Sequence, residues 1–244
     1  MNLRSENGAS RVAALERAFS ILAAFRTGEA LSLAELARRT GFYKSTILRL
    51  LASLERGGFV RRLADGNYSI GPEPLRLAKI YQDSFQVRDI IFPLLQELSR
   101  ASGETCSYYV RQHNSRVVLF RVEPTRNVRY SLREGEQFPL GVGASGKVLS
   151  AFSEPHLKEW ESVREAMLAI SYGERDPETA SASAPVFGVG QELRGALTVS
   201  APRDRFTPEH VQATTRLLLS AAARASAALG GDPGAFQDKL KSSL

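Results

Sequence analysis

The sequence predicts a two-domain α+β chain in which an N-terminal winged helix-turn-helix is joined by a linker helix to a larger domain of strands and helices. Three observations predict it. Apolar residues recur at helical spacing on either side of a glycine turn between residues 11 and 56, a hairpin pattern follows at residues 59–70, and strand-like runs beyond residue 104 precede and follow helical stretches. The 244 residues suffice for one large domain or two modest ones at roughly 100 to 200 residues each. Expected bounds are 10–72 for the winged module, 73–85 for the linker helix and 86–231 for the second domain.

The first helix is read over Arg11–Phe25, with Leu15, Phe19, Leu22 and Phe25 as its buried stripe. Ser32 and Glu35 fit a capping box that opens a second helix, and Gly41 supplies the left-handed residue that stops it. A third helix, Tyr43–Arg56, buries Ile47, Leu50, Leu51 and Leu54. Its opposite face carries Ser45, Arg49, Ala52 and Arg56, flanked by Lys44, Thr46 and Leu48, and this short, polar, basic surface suits a major groove. Two strand runs then flank Asp65-Gly66, a dipeptide suited to a two-residue hairpin turn, which makes a wing with Arg61 and Arg62.

Further on, Pro93 is expected to kink or restart a helix over Val87–Ala101. Strands are expected at Thr105–Arg111, Arg116–Val122, Val128–Leu132, Ala182–Phe187 and Leu193–Ser200, with helices at about 146–152 and 154–169. Thr207-Pro208-Glu209 opens a last helix that Gly230-Gly231 ends, and the final dozen residues are expected to be loose.

Charge separates the two parts. Residues 1–80 carry 13 Lys and Arg against 7 Asp and Glu, whereas residues 81–244 carry 19 of each, so the whole excess of +6 lies in the winged module. That module is expected to meet a polyanion, with Ser45, Thr46 and Arg49 at base edges and Lys44, Arg61 and Arg62 on phosphates. Hydrophobic residues at 43% and charged residues at 24% exclude fibrous and wholly disordered classes. The longest charge-free stretch, 179–191, is broken by Pro185, Gly188 and Gly190 and is shorter than the ~18 apolar residues of a spanning helix. A single cysteine, Cys106, and no apolar leader make the reducing cytoplasm the expected compartment.

Enzyme signatures fail on inspection. Gly141–Lys147 satisfies G-x-x-x-x-G-K, but Val148 stands where a phosphate loop needs Ser or Thr for Mg²⁺. His113, His156 and His210 lack metal-ligand spacing, and no G-x-S-x-G elbow occurs, so no cofactor, metal or catalytic residue is expected. Two other classes stay open at this point: a small-molecule enzyme or sensor whose winged helix mediates protein contacts, and a structural nucleoid protein without ligand response.

The winged module resembles the IclR family of transcriptional regulators through Ser32-Leu-Ala-Glu-Leu-Ala37, Gly41, Lys44-Ser45-Thr46, Arg49-Leu50-Leu51, Leu54 and the Gly57/Gly58-Phe59-Val60 close. Tyr43 departs from the usual Pro or Ser, and Leu48 from an aromatic or His. The likeness continues through Phe138–Lys147, Ser171–Arg175 with Pro177, Ser183–Phe187 and Gly195–Ser200. It implies a GAF-like effector-binding domain, a homodimer or dimer of dimers, and a small organic effector that controls binding to operator DNA. It also implies a pocket with Ala144 and Ser145 at amide positions, Ser171 where an acid is frequent, Ser181 where Cys is frequent, Thr198 and Ser200 as hydroxyl positions and Tyr130 as apolar wall. Free amides at a helix start attract anions, and Ser171 in place of an acid removes a repulsion, so the expected effector is an organic acid, aromatic acids included.

Overall fold

The structure, a computed structural model, describes residues 12–26, 28–84, 87–126 and 132–242. It forms two compact units, Met1–Ser84 and Phe85–Leu244. The expected linker helix groups with the first of them.

In the first unit α1 (Ala13–Ala23), α2 (Leu33–Thr40) and α3 (Lys44–Arg56) pack around Ile21, Leu36, Ile47 and Leu51, all essentially inaccessible to solvent. The Ser32 hydroxyl accepts from the Glu35 amide at 3.1 Å, and Gly41 closes α2 with φ of 73°. The expected return bond from the Ser32 amide to Glu35 is not made. The Glu35 carboxylate turns instead to Arg38 Nε at 2.8 Å and Arg39 Nε at 2.6 Å, where pairing with two cations outweighs one bond to a neutral amide. The buried stripe of α1 also differs from expectation: Leu15 and Phe19 are 52% and 57% exposed, and Ile21 and Ala24 point inward. Only one edge of α1 meets α2 and α3, so a wide apolar face is left over.

Strands β1 (Val60–Arg62) and β2 (Tyr68–Ile70) form the wing, and Leu31 adds a bridge to Tyr68. The turn has three residues rather than two. Leu63 N–H donates to Asn67 C=O at 2.7 Å, Gly66 N–H to Leu63 C=O at 3.0 Å, and Gly66 takes φ of 84°, the geometry of a type I turn with a glycine bulge. Helix α4 (Glu73–Ser84) follows.

The second unit is a six-stranded antiparallel sheet with helices on both faces. In chain order it contains α5 (Arg88–Ser102), β3 (Thr105–Gln112), β4 (Ser115–Val122), β5 (Gln137–Pro139), α6 (Gly143–Ser153), α7 (Glu161–Ala166), β6 (Ala169–Tyr172), β7 (Thr179–Phe187), β8 (Leu193–Pro202), α8 (Pro208–Ala228) and α9 (Gly234–Ser242). The strand order is β5-β4-β3-β8-β7-β6. Cys106, Tyr108 and Val110 on β3, Leu197, Val199 and Ala201 on β8 and Ala180, Ala182 and Ala184 on β7 face the core shared with α5, α8 and α9. The intervening residues face α6, and there the pattern is polar. Cross-strand pairing sets Ser183, Thr198 and Ser107 in one row and Ser171, Ser181, Ser200 and Thr105 in the next. Small side chains at these rows let α6 lie close to the sheet.

Several expectations change. Helix α5 runs unbroken through Pro93, because Ile91, Leu94, Leu95 and Leu98 bury a face whose hydrophobic gain, at roughly 1.5 to 3 kcal/mol per side chain, exceeds the ~3 kcal/mol proline penalty. The helix expected over 154–169 shrinks to α7, which Met167 ends with φ of 54°, and the chain then enters β6. The last residues are not loose where described: α9 buries Phe236 completely against the apolar core. The strand expected at Val128–Leu132 lies almost entirely outside the described residues. Among these, no helix is long and apolar enough to cross a membrane. Cys106 is buried, and loss of solvation pushes its thiol up to about 12, so it is an inert core group.

Candidate nucleic-acid interface and ligand cleft

On α3 the stripe of Ile47 and Leu51 turns Lys44, Ser45 and Arg49 out to solvent, while Thr46 is half-buried. Lys44 and Arg49 make no ion pair or hydrogen bond with any described residue, which leaves both cations available to a polyanion. On the wing Arg61 and Arg62 are exposed. Arg61 Nε donates to Ser69 Oγ at 2.9 Å, and the Arg62 guanidinium lies 5.9 Å from the Tyr68 ring centre, so both heads are held at the hairpin surface. Tyr43 stands 86% exposed immediately before the first turn of α3, an aromatic that sequence reasoning noted as a departure without giving it a role.

In the second unit Ala144, Ser145, Ser171, Ser181, Thr198 and Ser200 converge on one cleft between the start of α6 and the polar rows of the sheet. Tyr130 lies outside the described residues. The cleft encloses about 30 Å³, room for roughly one water molecule. Ser183 Oγ donates to the Leu197 carbonyl at 2.9 Å and lies 2.9 Å from Thr198 Oγ1. With the Ser183 proton committed, the Thr198 hydroxyl donates to Ser183 and keeps only acceptor capacity toward the cleft. Ser145, Ser181 and Ser200 take no part in that chain. Helix α6 has no side-chain cap at Val142, so its first amides need acceptors from outside the helix.

The cleft also contains groups that sequence reasoning missed: Tyr109, Arg116, Glu174, Arg175 and Thr179. Arg116, 3% exposed, donates to the Pro139 carbonyl, and its Nε is buried without a hydrogen-bond partner. Its guanidinium lies 5.7 Å from the Tyr109 ring centre and 5.4 Å from that of Phe138. Burial, with the charge of Arg175 adding to it, pulls the Arg116 pKa down to about 10, which leaves it cationic at neutral pH. No carboxylate of a described residue pairs with it.

The cleft is not free of acid, which corrects the expectation drawn from Ser171. Glu174 Oε2 accepts from Gly143 N–H at 3.0 Å, and Oε1 pairs with Lys147 Nζ. Burial pulls the Glu174 carboxyl up, but the Lys147 ammonium, the Gly143 amide and the Ser171 hydroxyl together outweigh it and hold the carboxyl below its usual range. The glycine-rich segment thus serves a salt bridge; Val148, at the position a phosphate loop gives to Ser or Thr, is wholly buried. Among the described residues no group of three His, Cys, Asp or Glu is placed to hold a metal ion. A larger hollow, about 530 Å³, lies beside Arg100, Val122 and Arg126.

Comparison with known proteins matches residues 14–64 to the IclR helix-turn-helix domain, and residues 80–160 and 153–227 to the bacterial transcriptional regulator IclR C-terminal domain. The chain belongs to the IclR family. It is a transcriptional regulator with a helix-turn-helix DNA-binding unit and a C-terminal α+β effector domain. It is 26% identical over 239 residues to the HTH-type transcriptional regulator KipR of Bacillus subtilis, covering 88% of this chain and 96% of that one. Identity is 29% with the glycerol operon regulatory protein of Streptomyces griseus, over 93% and 98% of the two chains. The crystal structure of an IclR homolog complexed with 4-hydroxybenzoate, from Microbacterium hydrocarbonoxydans, shares the fold with a TM-score of 0.74 at 19% identity, over 89% of this chain and 99% of that one.

Proposed function

We propose that this IclR-family regulator reads operator DNA with Ser45, Thr46 and Arg49 at base edges and Lys44, Arg61 and Arg62 on phosphates, and that a small organic acid in the α6 cleft controls the outcome. The observation that carries the effector reading is the cleft itself, where six of the residues expected from the sequence meet the first turn of α6 beside a buried guanidinium. A buried cation with no carboxylate partner and an unpartnered Nε is costly, so the cleft favours a ligand with one anionic end. Tyr109 gives it an apolar wall for a ring, and the binding of 4-hydroxybenzoate by a relative of the same fold supports an aromatic acid. The protein acts by binding, without turnover. Exposed Leu15 and Phe19 on α1 with Val12 just before it, and Leu75, Leu77 and Ile80 on α4, support self-association as a homodimer or dimer of dimers.

A thermal-shift comparison of carboxylic acids with their amides tests the effector reading. A ligand of the folded state at a hundred times its Kd stabilises by about 2.7 kcal/mol. Acids should raise the melting temperature where amides of the same shape do not, and a preference for the amides would overturn the reading.

A further inference from the structure

We propose that the start of α6 is a carboxylate seat occupied by the chain's own Glu174, and that an acidic effector binds by taking Glu174's place. The proposal rests on reading the cleft as the effector site.

Three observations carry it. Glu174 makes the contacts an effector carboxylate would make, one oxygen on the Gly143 amide and the other on Lys147. The seat is also more cationic than one carboxylate requires. A Cβ on Gly143 would lie 3.4 Å from Arg116 Nη2, and one on Gly146 would lie 2.6 Å from Nη1, so the guanidinium lies against the first turn of α6. A cation has the wrong sign for a helix N-terminus, and an anion between them relieves both. Finally, about 30 Å³ holds a water and no organic molecule, so a ligand must displace something. Ser145, Thr198 and Ser200 are buried on helix and sheet, whereas the Glu174 side chain is 33% exposed on the turn between β6 and β7. The turn is the part that can leave without breaking the core.

The exchange sets specificity. An incoming carboxylate returns to Lys147 and Gly143 the partner they lose, and a neutral isostere leaves an ammonium and an amide unsatisfied. Acids are therefore selected by the cost of displacing Glu174 as well as by direct attraction.

The test titrates the full chain with benzoate, benzamide and acetate by calorimetry, with the fluorescence of Trp160 as a second readout. Trp160 is the only tryptophan, and its ring lies 3.9 Å from a Cβ placed on Gly141, two residues before α6. Parent, Glu174→Gln and Glu174→Ala are compared. Removing a competitor held by charge-assisted bonds should tighten benzoate about tenfold or more in both variants, and benzamide, which no longer has to displace Glu174, should gain as well while staying the weaker ligand. Affinity for benzoate and for acetate that is equal in all three, or highest in the parent, overturns the exchange while leaving the acid-effector reading in place. If the variants gain acetate but not benzoate, the seat stands and the aromatic-acid reading falls. If no carboxylate binds any form, both fall.

Discussion

Replacing both wing arginines, Arg61 and Arg62, by alanine is expected to flatten the salt dependence of DNA binding without changing which duplex is preferred. Each phosphate that the protein ceases to neutralise lowers the slope of log affinity against log salt by about 0.9. Two such phosphates lower it by about 1.8, so over a fourfold rise in salt the parent should lose roughly 12-fold more affinity than the double variant. Both heads are exposed, one resting on Ser69 and the other on Tyr68, so removing them leaves the Val60 and Tyr68 core of the hairpin in place. The assay is fluorescence anisotropy on a duplex selected by the parent from a random library, titrated at ~50 and ~200 mM salt. An unchanged slope would mean that the wing does not touch phosphate. A changed sequence preference would place at least one of these arginines on bases.

Arg49→Ala should cost on the order of 1 to 3 kcal/mol on the selected duplex and narrow its margin over mismatched ones, measured by the same anisotropy; equal affinity for every duplex in parent and variant would remove α3 as the reading element. Ser145→Leu puts a branched side chain into a cleft of about 30 Å³ and should abolish the acid-induced thermal shift, so a shift of parental size would place the effector elsewhere. Gly195→Ala would bring a Cβ to 2.5 Å from the Tyr109 carbonyl oxygen and from the Tyr108 ring, and should lower stability by about 1 to 3 kcal/mol in urea unfolding. Arg38 and Arg39 hold the Glu35 carboxyl at about 2, below its ordinary 4.5. A depressed acid stabilises fully above its unfolded pKa, and that contribution fades as pH falls from about 4.5 through about 2. Melting curves of parent and Glu35→Gln should therefore differ at neutral pH and converge at the acid end.

Most of the winged unit was legible because its signals are local. A cap at Ser32, a left-handed glycine at Gly41 and the Ile47–Leu51 stripe each act within one or two turns of chain. The stripe of α1 was misread because periodicity identifies an apolar face without saying what covers it, and Leu15 and Phe19 are left out of the packing. In the second unit β6 was hidden because its four residues, Ala169–Tyr172, are too short a run to show an alternating pattern next to a helical stretch, and it exists because Ala169 and Ser171 pair with Ser183 and Ser181 further along the chain. Arg116 was invisible for a related reason. An arginine beginning a strand reads as a solvated edge residue, and only the placement of α6 over the sheet buries it.

The position of the negative charge explains how the cleft can both favour an acid and be closed to neutral ligands. An acid at position 171 would sit on β6, pinned by its pairing to Ser181, and would meet any incoming carboxylate as a fixed repulsion. Here residue 171 is a serine, and the acid stands at Glu174, on a turn closed by the Gly173 amide donating to the Thr179 carbonyl at 2.8 Å. The charge can therefore neutralise Lys147 and the α6 amides in one state and withdraw in another, while the Ser171 hydroxyl remains in the cleft as a neutral contact for either carboxylate. Glu174→Asp sharpens the point. Its shorter side chain keeps the charge but reaches Gly143 and Lys147 less well, so carboxylates should bind it more tightly than the parent and less tightly than Glu174→Ala. That order in calorimetry would show a graded competitor. Asp binding more weakly than both would mean that the acid repels from a distance and never occupied the seat.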